Sequence, residues 1–153
     1  MSVLHKCREF VLMIEQKQLL NMTDIIHMES QLRHINHKIE QHRHEFIYTN
    51  QQIKSLTPSG IMERSDLYKG IRRQGALIAH QQLIYHQISL LEDELQTVRH
   101  KLQQLSFSKG ILDKKHHKLT YQLKQLGREQ ARRRDNDMEN ELQELAVYDK
   151  KYF

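Results

Sequence analysis

The strongest constraint on this chain is an apolar seam that passes through it twice, with its single proline between the passes. On the first pass, positions seven apart read Leu4, Val11, Gln18, Ile25, Leu32, Ile39, Phe46 and Ile53, interleaved with Cys7, Ile14, Asn21, Met28, Ile35, His42, Thr49 and Leu56. The second pass reads Leu77, Ile84, Leu91, Val98, Leu105, Leu112, Leu119 and Leu126, interleaved with Gln74, Gln81, Ile88, Leu95, Leu102, Lys109, His116 and Leu123. A heptad sustained this long specifies helices that wrap on one another. The fold class expected is all-α: two long helices forming an antiparallel coiled-coil hairpin, the second longer than the first.

Composition agrees with a seam rather than a filled core. Only 38% of the 153 residues are hydrophobic and 7% aromatic, with no Trp, below the roughly 45–50% apolar content of ordinary globular domains. The mean hydropathy of −0.76 favours helices whose outer surface stays in water. A formal charge of +5 suggests acidic partners, with the charges read as interspersed. Cys7, the single cysteine, lies on the seam and reads as a buried thiol. No stretch reaches the ~18 apolar residues of a membrane span. The run Phe10–Ile14 is flanked by Glu9 and Glu15 and lacks a cleavage site, so the expectation is a cytoplasmic chain without membrane insertion.

The first helix is expected to start near Ser2, a suitable N-cap, and to run to about residue 56. Without Gly or Pro between Val3 and Leu56, a rise of ~1.5 Å per residue makes it roughly 80 Å long. Gln18, Asn21, His42 and Thr49 interrupt the seam, weakening it while disfavouring slipped pairings. The break falls at Thr57-Pro58-Ser59-Gly60: Pro58 disfavours helix at Thr57 and removes a donor, and Gly60 tolerates positive φ. The second helix starts either with Ser65 as cap near Leu67 or already at about residue 61, and ends near Tyr148. Gly70, Gly75, Gly110 and Gly127 lie within it and predict local bending or fraying. Pairing outward from a tight turn puts Leu4 near residue 115 and leaves about thirty residues of the second helix projecting. Past Leu126 the apolar register changes to Met138, Leu142 and Leu145.

The sequence holds no phosphate-cradling glycine loop, no CxxC and no Ser-His-Asp spacing, so no catalytic residue is assigned and the chain reads as a non-enzyme. Of the eleven His, His34 and His37 share a helix face, but no third ligand completes a metal site; no metal or cofactor is expected. His42 and His116 are expected to face the seam. Lys and Arg read as scattered, without interleaved aromatics, which argues against nucleic acid. Tyr68 and Tyr48 fall off both seams near the turn, where exposed aromatics suit a partner anchor; the alternative is two isolated surface tyrosines. On the tail, Arg128 and Arg132-Arg133-Arg134 precede the acidic run Asp135, Asp137, Glu139, Glu141, Glu144, either a solvated face or a docking surface.

The Pro-Ser-Gly-Ile turn at residues 58–61 and the stretch Leu67-Tyr68-x-x-Ile71-Arg72-Arg73-Gln74 resemble those of the type III secretion stalk family, the SctO/YscO/InvI-like proteins related to the flagellar export protein FliJ. The resemblance spans nearly the whole chain in pattern. It implies a stalk like that of rotary ATPases, with the termini inserted in a hexameric secretion ATPase and the hairpin tip reaching the nonameric cytoplasmic ring of the export gate. Mapped here, it implies gate contacts at Tyr48, Leu67, Tyr68 and Ile71 beside the turn at Pro58 and Gly60. It implies ATPase contacts at Arg128, Arg132, Arg133, Arg134, Met138 and Leu142. The family's gate-contacting tyrosines on the first helix do not match this chain position by position. Secretion chaperones are a further candidate partner. The protein is expected at the cytoplasmic face of the inner-membrane export apparatus, and as a monomer in isolation. The rival reading is a homodimeric tethering coiled coil with no ATPase partner.

Overall fold

A computed structural model describes residues 2–56 and 63–152. They form two helices, α1 (Val3–Ser55) and α2 (Arg64–Tyr152). Pro58 and Gly60, the expected turn residues, lie outside the described residues.

Each helix start has an identifiable cause. Ser2 caps α1 as expected: its Oγ accepts from the His5 N–H at 3.2 Å and its carbonyl from the Lys6 N–H at 3.2 Å, satisfying amides that have no partner inside the helix. At α2 the cap differs from the expected Ser65. Glu63 occupies that place, its carbonyl accepting from the Asp66 and Leu67 N–H groups at 3.1 and 3.0 Å. Ser65 is already in the first turn. Asp66, also in that turn, places a negative charge where the helix dipole is positive. The α2 helix continues past the expected end at Tyr148 to Tyr152, unbroken through its four glycines. A Cβ added at any of them would meet nothing within 4 Å, so no close approach demands a glycine there.

The chain divides into two compact units. Unit 2, residues 24–105, is a helical hairpin in which the later part of α1 pairs antiparallel with the earlier part of α2. Its core joins Ile35 and Ile39 of α1 to Ile84, Ile88, Leu95 and Val98 of α2, flanked by Met28, Leu32, Phe46 and Leu91. Rim contacts descend along α2 as they ascend along α1: Arg43 pairs with Glu92 at 3.3 Å and Asn50 receives a bond from Gln81 at 3.5 Å. Unit 1, residues 1–23 with 106–153, pairs the start of α1 with the later part of α2. Cys7, Val11 and Ile14 are buried there, as is Asn21. The Cys7 Sγ donates to the Leu119 carbonyl at 3.6 Å, so the thiol is a core group as expected.

Nearly all the seam residues assigned from the sequence are buried or half-buried. Lys109 is the exception and is exposed, because an ammonium cannot enter an apolar seam without a charge partner. The polar interruptions act in different ways. Gln18 donates across the helix pair to Asp113 Oδ1 at 2.9 Å, and Glu15 Oε1 lies 3.1 Å from His116 Nε2; both contacts fix register in unit 1. Thr49, only 2% exposed, instead donates to the Glu45 carbonyl of its own helix at 2.8 Å. Its hydroxyl therefore makes no contribution to register. His42 faces the seam as expected, but its buried Nδ1 has no hydrogen-bond partner; Glu45 Oε2 is 3.7 Å away.

The largest departure from expectation is in the pairing itself. Leu4 does not lie near residue 115; it lines one groove with Leu126. In unit 2 the end of α1, Ser55 and Leu56, lies beside Arg73, Ala76 and Leu77. The residues Arg64–Arg72 of α2 thus run beyond the last residue of α1. In unit 1 fewer than the expected thirty residues project past the start of α1, because the pairing there is displaced along α2.

Candidate functional site

In each unit, α2 outruns α1 and leaves helix surface that no residue of α1 covers. In unit 2 this surface is the first turns of α2. Leu67, Tyr68 and Ile71 share one side of the helix at i, i+1 and i+4, and are 38%, 52% and 54% exposed. Leu67 continues the spacing of the buried seam, but the last residue of α1 lies beside Ala76 and Leu67 is left exposed. Arg64, one turn earlier, holds the tyrosine: its guanidinium sits 5.7 Å from the Tyr68 ring centroid and donates to the Tyr68 hydroxyl at 3.4 Å. Cation–π contact of this kind restricts an aromatic side chain that would otherwise sample several rotamers. The sequence reading missed Arg64, although Arg and Tyr four residues apart on a helix are always neighbours. Beside this patch, Gln52, Ser55, Leu56, Arg73, Ala76 and Leu77 line a groove of about 400 Å³.

Tyr48 is exposed, as expected, but does not join Tyr68. Asn50 meets Gln81, so Tyr48 lies level with about residue 82 of α2. At ~1.5 Å per residue it stands roughly 20 Å along the axis from Tyr68. The set expected at the tip is therefore divided into a cluster, Leu67–Tyr68–Ile71, and a separate tyrosine next to exposed Ile47.

In unit 1 the uncovered surface is the tail. Every residue of α2 from 127 to 151 is exposed, since the start of α1 is already paired at Leu126. The four arginines expected to act together diverge around the helix. Arg133 turns toward α1 and lines a groove of about 260 Å³ with Ser2, Val3, Leu4, Leu126 and Glu129. Arg128 and Arg132, four apart, share the face away from α1, and Arg134 lies between the two directions. Met138 and Leu142 are exposed beyond the start of α1. One turn further, Glu141, Glu144, Leu145 and Tyr148 line a shallow hollow of about 400 Å³.

Neither surface assembles reactive groups. Among the described residues no three metal-ligating side chains come together, and no helix is long and apolar enough to cross a membrane. Two long helices, the second with stretches of exposed aromatic, apolar and charged side chains, define an all-helical protein. The family model described as Salmonella surface presentation of antigen gene type M protein matches residues 5–146. The chain belongs to this family, and so to the InvI-type structural components of type III secretion that its sequence resembles. No curated protein and no solved structure matches the chain.

Proposed function

We propose that this protein is the central stalk of a type III secretion export apparatus, coupling the hexameric secretion ATPase to the nonameric ring of the export gate at the cytoplasmic face of the inner membrane. The observation that carries the reading is the overhang of α2 in both units. A chain evolved only to pair with itself would match its helix lengths, because uncovered apolar side chains gain nothing from water. Here Leu67, Tyr68 and Ile71 remain outside the pairing in one unit, and Met138 and Leu142 in the other.

In this reading the α2 start docks on the gate ring and the tail enters the ATPase. Tyr68, held by Arg64, presents a restricted aromatic surface, which lowers the entropic cost of binding. The stalk supplies no chemistry of its own. Asymmetric contact within the ATPase biases the helix pair, and the gate responds to that bias. Closure of the seam within one chain supports a stalk over the rival tethering rod, whose seam would need a second copy throughout.

Two changes test the assignment separately. Removing residues 128–153 abolishes ATPase binding and stimulation of turnover while leaving gate binding intact. Tyr68→Ala weakens gate-ring binding roughly tenfold, the ~1.4 kcal/mol typical of a modest interface anchor, with helicity and ATPase binding unchanged. Undiminished stimulation by the truncated chain rejects the tail assignment, and undiminished gate binding by Tyr68→Ala rejects the tip.

A further inference from the structure

The sequence reading treats the cations as scattered, but on α2 of unit 1 Lys118, Arg128 and Arg132 share a face. From Lys114 to Arg134, Glu129 is the one acidic residue. Positions alternately three and four apart, from Lys118 through Arg128 and Arg132 to Asp135, Glu139 and Asp149, follow a second heptad on the side of α2 away from α1. All of them are exposed, and none of these six makes an ion pair among the described residues. This face is basic in its first half and acidic in its second.

Such a face complements itself when it is turned end for end. We propose that the tail of α2 pairs antiparallel with the same tail of a second copy of this chain, through that outer face. A single register satisfies every position. Arg132 meets Asp135 of the other copy, Arg128 meets Glu139, and Lys118 meets Asp149, while Gln125 meets Leu142 and Tyr121 meets Ala146. A two-fold axis makes each of these contacts twice, which is the defining property of an isologous interface. Ala131 and Met138, one position further round the helix, meet at the flank. Charge complementarity selects this occupant, because a uniformly acidic partner would leave Asp135, Glu139 and Asp149 facing like charge.

The pairing also gives the tail a reason to be helical. A helix with no packed face gains little stability beyond its own weak propensity, and the acidic pairs Asp135/Glu139 and Asp137/Glu141 repel at i, i+4 within one chain. A second copy supplies the cations that the first lacks. In this proposal the seams are closed within one chain, and the tail is what associates. The proposal does not depend on the stalk reading. If both hold, ATPase and second copy compete for Arg128, Arg132 and Leu142.

The test uses the full chain alone, so an ATPase result bears on it in no way. Sedimentation equilibrium over a concentration series is expected to show a monomer–dimer equilibrium that weakens at least about tenfold between about 50 mM and about 500 mM salt, as screening shortens the reach of exposed charges. Arg128→Glu with Arg132→Glu makes the four central charged positions of the face, 128, 132, 135 and 139, all acidic, and Asp135→Arg with Glu139→Arg makes the same four all basic. Each double variant is expected to be monomeric, and an equimolar mixture of the two is expected to form a 1:1 heterodimer. Heterodimer formation also shows that both variants are folded. A wild-type monomer at every concentration, self-association of either variant at wild-type strength, or failure of the mixture to pair overturns the proposal.

Discussion

Replacing Ile84 by Ala tests whether the seam is what holds unit 2. Ile84 is 1% exposed, the most buried large side chain among the described residues, and packs with Ile35, Ile39 and Ile88. The substitution removes three carbons, worth about 2.4 kcal/mol at ~0.8 kcal/mol per buried methylene. The cavity left between two helices that cannot fully collapse raises this to about 3 kcal/mol, within the ~2–5 kcal/mol range of such truncations. Leu83, the preceding residue, is 53% exposed on the outer face. Leu83→Ala removes comparable chemistry from water-facing surface and is expected to cost less than about 0.5 kcal/mol. Urea unfolding followed by far-UV circular dichroism measures both. A loss below about 1 kcal/mol for Ile84→Ala, or equal losses for the two variants, means that this face of α2 is not the core and refutes the packing argument.

Three further substitutions separate the polar contacts of the helix pairs. Thr49→Val deletes a hydroxyl bonded only to a carbonyl of its own helix and keeps the volume, so stability should change by less than about 1 kcal/mol; a larger loss in the same urea titration would show a cross-helix role for Thr49. Gln18→Ala and Asp113→Ala remove the two ends of one cross-helix bond. A double-mutant cycle should give a coupling of about 0.5–1 kcal/mol, and strictly additive losses would mean that the bond contributes nothing to register.

The helical class, both seams and the polarity of the outer surfaces were legible in the amino-acid pattern, because heptad spacing reports directly which side of a helix is shielded. Cys7, Ile14, Ile39, Ile88 and Val98 are all buried where that spacing placed them. The same periodicity explains why Lys109 was misassigned: spacing marks a position as seam regardless of whether its side chain can be dehydrated. The proposed docking surfaces were legible only as residue types. Tyr48 and Tyr68 looked like one site because both flank the turn in sequence, whereas they stand far apart along the helix axis. Arg128, Arg132 and Arg133 looked like one cluster because they are close in sequence, whereas a 3.6-residue period sends Arg133 toward α1 and the other two away from it.

By itself the sequence determined that this chain would be helical with its apolar residues gathered in two seams, since heptad spacing places them on one stripe of each helix. It did not determine the register, because a heptad repeats every seven residues and antiparallel pairings displaced by whole heptads bury nearly the same side chains. Only the tertiary structure decided among them, through contacts that occur once: Gln18 with Asp113, Glu15 with His116, Arg43 with Glu92. That choice places Leu4 beside Leu126 and ends α1 beside Ala76. It thereby decides which residues of α2 are left uncovered, and those are the residues available to a partner.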